Sequence, residues 1–141
     1  MEKINYDNVV NELLKRFPEF KNSPEYFDES ELESPYTVLG TLSLRAFENI
    51  DNRQDIKLAE RLVQLTDEIL NNPSSEDKSS NSEDTLVNLF QIEVFEKLVG
   101  SRTGALLAKK LLHGKSLELL EQTLKYYSTD LFLEEYRGKI I

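Results

Sequence analysis

The chain has 141 residues and a formal net charge of −9, from 26 Asp and Glu against 17 Lys and Arg. It contains no cysteine, which excludes disulfide bonds, thiolate zinc sites and a thiol nucleophile. A negative field of this size repels nucleic acid and anionic membranes and favours a basic partner. From this charge we expect that the protein binds neither nucleic acid nor membrane. Because neither a signal-peptide pattern nor a membrane-spanning apolar run is present, we expect it to be cytoplasmic.

Apolar residues at helical spacing predict the first two helices. The first covers about residues 8–17 and ends at Pro18. The second begins at Ser34-Pro35, because proline suits the first helical position, and continues to about Ile50. Gly40 lies inside the second helix at a cost of about 1 kcal/mol relative to alanine, which indicates that another helix packs closely there.

The same periodicity predicts four further helices. The third starts near Asn52, an N-cap candidate with Asp55 three residues later, and ends near residue 70. The fourth, about residues 83–99, is apolar nearly all round, which is typical of a helix in the middle of a bundle. The last two, about 103–112 and 116–127, are separated at His113-Gly114, and a final turn of helix is predicted within 130–136.

These elements predict a single all-α domain covering residues 1–141, with a mobile polar loop at about 71–82. No stretch shows the alternation of apolar and polar residues that indicates a strand. An irregular helical bundle of about six helices fits this pattern, and so does a short α-solenoid of antiparallel helix pairs. The sequence leaves both architectures open.

His113 is the single histidine of the chain, and it precedes a glycine at a helix end. We interpret it as a cap that bonds the last helical carbonyls, because no specific feature supports a catalytic base. The Glu-x-x-His motif of helical di-iron sites is absent, since the residue three before His113 is Lys110.

Two carboxylate pairs at one-turn spacing, Glu93 with Glu96 and Glu118 with Glu121, are the metal-like signal in the chain. Such pairs on facing helices can hold Mg²⁺, an arrangement similar to that of nucleotide pyrophosphatases of the MazG type. The doubled glutamates and aspartate of that family are missing here, and Glu121 with Lys125 forms an ordinary i,i+4 pair. We therefore interpret the pairs as solvated faces and predict no metal, no cofactor and no catalytic residue.

Residues 21–33 carry five acids against one lysine, with two aromatic residues among them. Carboxylates that steer a basic partner and an aromatic residue that anchors it would form a docking surface. The candidate partner-binding residues are Glu25, Tyr26, Asp28, Glu29, Glu31 and Glu33. The stretch 97–115 is purely basic among its charges, and we interpret it as balancing the acidic remainder.

Three segments carry a family resemblance: Leu13-Leu14-Lys-Arg-Phe17-Pro18-Glu19-Phe20, Tyr36-Thr-Val-Leu-Gly-Thr-Leu-Ser-Leu-Arg-Ala-Phe47, and Leu86-Val-Asn-Leu-Phe-Gln-Ile-Glu-Val-Phe95-Glu96-Lys-Leu98. Their order resembles an uncharacterised family of small bacterial all-helical domains, some of which look like immunity proteins of toxin systems. The resemblance covers about residues 8–124. It implies an all-helical fold and supplies no catalytic residues.

The leading functional hypothesis is a non-enzymatic protein-binding module, in its most concrete form an immunity-type protein that neutralises a toxin by docking through its acidic surface. A Mg²⁺-dependent all-helical hydrolase that uses Glu93, Glu96, Glu118 and Glu121 is one alternative. A structural adaptor is another, and the sequence does not separate it from the first hypothesis.

Overall fold

The computed structural model describes residues 4–18, 34–48, 50, 56–72 and 85–127. These residues form six helices and no strand, which confirms the all-α class. The helices are α1 (Val9–Arg16), α2 (Pro35–Phe47), α3 (Lys57–Asn71), α4 (the consecutive segments Leu86–Phe90, Gln91–Phe95 and Glu96–Val99), α5 (Arg102–Leu111) and α6 (Gly114–Tyr127). None of the six is long and apolar enough to cross a membrane.

Helix α4 lies in the middle of a helical bundle. It contacts α2, α3, α5 and α6, and its Leu89, Phe90, Val94 and Phe95 side chains are fully buried. In a solenoid each repeat contacts only its neighbours. Helix α4 contacts four other helices and α3 contacts α6, so the fold is a bundle. The contacts of α4 also confirm the central position predicted for the fourth helix.

Three helices begin at a hydroxyl residue that caps the first turn. Ser34 Oγ accepts from the Thr37 amide at 3.3 Å, which confirms the start signal at Ser34-Pro35. Thr85 and Ser101 accept from backbone amides three residues later in the same way. Each cap satisfies an amide that has no partner inside its own helix.

The third helix begins later than predicted. It starts at Lys57, and Ile56 before it has non-helical dihedral angles and provides no side-chain cap. Asn52 and Asp55, the predicted cap and its companion, lie outside the described residues, as does the predicted turn within 130–136. The helix also extends to Asn71, the first residue of the predicted polar loop at 71–82, and residues 73–82 of that loop lie outside the described part of the chain.

The segment Gln91–Phe95 is a π-helix inside α4. The buried residues of α4 lie at positions 86, 89 and 90, then at 94 and 95, and then at 98 and 99. From positions 89 and 90 a regular period of 3.6 residues leads to 93 and 97, whereas the buried side chains lie one position later, and one wider turn accounts for that shift. Glu93, within the wide turn, lies against α2, where an ideal Cβ on Gly40 would lie 2.5 Å from Glu93 Oε2. The predicted close packing at Gly40 is confirmed, with Glu93 as the neighbour.

Helix α5 packs against the end of α4 through Gly104, which predicts an unusual response to alanine. A Cβ at this position would lie 2.9 Å from the Leu98 carbonyl oxygen, a backbone atom that cannot move away alone. We expect Gly104→Ala to lower the free energy of unfolding by about 1–3 kcal/mol despite the better helix propensity of alanine. Urea denaturation measures the change.

Gly100→Ala is the matched control, because a Cβ there would meet its nearest atom, the Lys97 carbonyl oxygen, at 3.5 Å, an ordinary contact. Its effect should stay within about 0.5 kcal/mol. Equal effects of the two substitutions would show that Gly104 does not mark a close approach of α4 and α5.

Candidate functional site

The predicted docking residues Glu25, Tyr26, Asp28, Glu29, Glu31 and Glu33 lie outside the described residues. Their role as a docking surface stays a prediction.

In the first carboxylate pair, Glu93 and Glu96, the side chain of Glu93 is largely buried. Glu93 Oε2 lies 3.1 Å from Lys97 Nζ, and its side chain is only 18% exposed. Lys97 Nζ also donates to Ser43 Oγ at 2.9 Å and to the Gly40 carbonyl at 3.3 Å. Glu93 is therefore part of the contact between α2 and α4. The interpretation of the Glu93 pair as a solvated face is wrong for Glu93, because its carboxylate lies against Gly40 of α2 and pairs with Lys97.

The second pair, Glu118 and Glu121, is exposed on α6. Glu118 borders a cavity of about 170 Å³ whose floor is formed by Leu70, Val87 and Leu119. Within the described ranges, no group of three or more Asp, Glu, His or Cys residues is placed to hold a metal ion. The four glutamates of the hydrolase alternative therefore do not form one acidic cluster.

A different set of polar residues converges where α3 meets the α5–α6 turn. We call it the Asp67 cluster, and it consists of Asp67, Asn71, His113 and Ser116. Asp67 Oδ1 accepts from the His113 amide at 2.8 Å, from Asn71 Nδ2 at 2.9 Å and from Ser116 Oγ. Asp67 Oδ2 lies 2.9 Å from His113 Nδ1. One carboxylate thus holds side chains and backbone from two helices and the turn between α5 and α6.

The cluster caps the start of α6 from another helix. The first amides of a helix have no partner within it. Here Lys115 N donates to Asn71 Oδ1 at 2.9 Å, and His113 N donates to Asp67. Gly114 between them has φ of +48°, and a Cβ on it would lie 3.0 Å from Asn71 Oδ1. Glycine suits this position because it adopts positive φ without steric cost and leaves room for the amide of Asn71.

The cluster contains Ser, His and Asp but lacks the geometry of a catalytic triad. In a triad the histidine accepts the serine proton through one nitrogen, while the aspartate binds the other. Ser116 Oγ instead contacts Asp67 directly and lies 2.8 Å from the His113 carbonyl. Ser116 is fully buried, so no substrate reaches its hydroxyl. The arrangement orients a turn and does not activate a nucleophile.

Opposing effects set the pKa of Asp67. Burial raises it and is the largest single effect, but hydrogen bonds from the Ser116 hydroxyl, the His113 ring and the His113 amide lower it, as does the charge of His113. Together these outweigh burial, and the pKa of Asp67 lies below its ordinary value. The carboxylate is therefore ionised at neutral pH and acts as a hydrogen-bond acceptor.

The cap role predicted for His113 is wrong. Its ring is directed to Asp67 of α3, and the last turn of α5 is instead closed by the Leu112 amide, which donates to the Ala108 carbonyl. A charged acceptor on α3 attracts the imidazole more strongly than the neutral carbonyls of its own helix. The ring is 76% exposed and borders an open depression of about 400 Å³ next to Lys110 and Glu68.

Sequence reasoning missed Asp67, Asn71 and Ser116. Asp67 and Asn71 are four residues apart in the last turns of α3, so they share one side of the helix. The sequence, however, predicts a solvent-facing position for Asp67 and places Asn71 in the polar loop. Ser116 follows His113 by three residues, as in a capping pattern. No local signal links these two groups, which are more than 40 residues apart.

The net charge is not spread evenly along the chain. Of its 26 acids and 17 bases, ten acids and eleven bases lie in the described residues, so sixteen acids and six bases occupy the other positions. The described residues are thus close to neutral in sum, and the acidic excess lies at the remaining positions of the sequence.

Comparisons with protein-family models, with curated proteins and with solved structures find no match to this chain.

The Asp67 cluster predicts a stability effect that depends on pH. Asp67→Asn leaves the His113 ring, the His113 amide and the Ser116 hydroxyl without a charged acceptor, so we expect a loss of about 1–3 kcal/mol in the free energy of unfolding at pH 7. Because folding lowers the pKa of Asp67, its stabilisation is complete above the ordinary aspartate value of about 3.9 and is lost as the pH falls through the lower folded value. The gap between wild type and variant should therefore close at acidic pH.

Urea denaturation between pH 7 and pH 3 measures this gap. Glu68→Gln is the control, since Glu68 forms an exposed pair with Arg16 at 3.1 Å and should contribute less than about 1 kcal/mol. A gap that stays constant with pH would contradict an ionised anchor at Asp67.

The scattered positions of the four glutamates predict that Mg²⁺ does not stabilise the protein. A ligand that binds only the folded state raises the melting temperature by mass action. We expect thermal melts with and without millimolar MgCl₂ to coincide. A rise in melting temperature that disappears in a Glu118→Gln/Glu121→Gln variant would instead support the hydrolase alternative.

Proposed function

We propose that this chain is a non-enzymatic protein-binding module, and more concretely a bacterial cytoplasmic immunity-type protein that neutralises a basic toxin by electrostatic docking. The observation that carries the proposal is the uneven distribution of charge along the sequence, in which residues 21–33 hold five acids and one lysine while the described residues hold ten acids and eleven bases.

Side chains of the types that often act in catalysis make structural contacts in this bundle, which also supports a binding role. Ser116, His113 and Asp67 hold a turn in place, and Glu93 with Lys97 joins two helices. These groups act in packing and capping. The proposal therefore assigns partner binding to charged residues that take no part in these contacts.

The region 21–33 is the proposed docking surface because it has the strongest acidic bias next to aromatic residues. Carboxylates at a rim accelerate association with a basic partner, and a buried aromatic residue supplies affinity at the centre. The family resemblance of residues 8–124 to immunity-like domains is consistent with this arrangement. A structural adaptor would use the same bundle without a toxin partner. The identity of the protein that binds this chain distinguishes an adaptor from an immunity-type protein.

The proposal predicts that charge reversal in this region slows association. The tagged protein is used to capture partners from its own host at low and moderate salt, and the captured protein is identified by mass spectrometry. With that partner, Asp28→Lys/Glu29→Lys and Glu31→Lys/Glu33→Lys should each reduce the association rate at low salt by roughly tenfold and weaken its salt dependence.

Glu118→Lys/Glu121→Lys changes the net charge by the same amount on exposed positions of α6 and serves as the control. An equal reduction in the control would show a general field effect and remove region 21–33 from the proposal. Capture of an acidic partner, or unchanged kinetics in all variants, would contradict the proposal itself.

A further inference from the structure

We draw no further inference here: the strongest candidate, the cavity of about 170 Å³ between α3, α4 and α6, has an apolar floor of Leu70, Val87 and Leu119, and nothing in the described part of the chain shows what covers it.

Discussion

Asp67 and Asn71, in the last turns of α3, accept hydrogen bonds from the backbone at the start of α6. Those amides have no partner within α6, so a cap from another helix satisfies them and fixes where α6 begins. The attachment joins the α5–α6 pair to α3. Since α3, α5 and α6 all contact α4, the cover over the apolar central helix depends on it.

Residue types that catalyse reactions elsewhere serve as structural elements in this bundle. Ser116 and His113 bind one carboxylate, and Lys97 bridges Glu93 with two groups of α2. Each contact satisfies a polar group at a helix junction, where an unpaired group would cost about 1–3 kcal/mol. These side chains therefore hold helices together, and the proposed binding role is assigned to other charged residues.

The sequence predicted those features that depend on local chemistry. Ser34-Pro35 marked a helix start because hydroxyl caps and proline act within one turn, and Gly40 marked a close approach because a mid-helix glycine is costly. It did not identify Glu93 as the neighbour of Gly40, since no local signal links two residues that lie on different helices and more than 50 positions apart. It also missed the Asp67 cluster, in which two groups distant in sequence meet, and it assigned His113 to the wrong helix end. The six candidate docking residues lie outside the described part of the chain and remain a prediction.

Amide hydrogen exchange at His113 and Lys115 tests the central role of the Asp67 cluster most directly. These two amides precede the first intrahelical hydrogen bonds of α6, so only Asp67 and Asn71 protect them. We predict slow exchange of both amides in the wild type and fast exchange of the His113 amide in Asp67→Ala, while amides in the middle of α4 remain protected. Fast exchange of both amides in the wild-type protein would contradict the account, because α6 would then begin without a cap from α3.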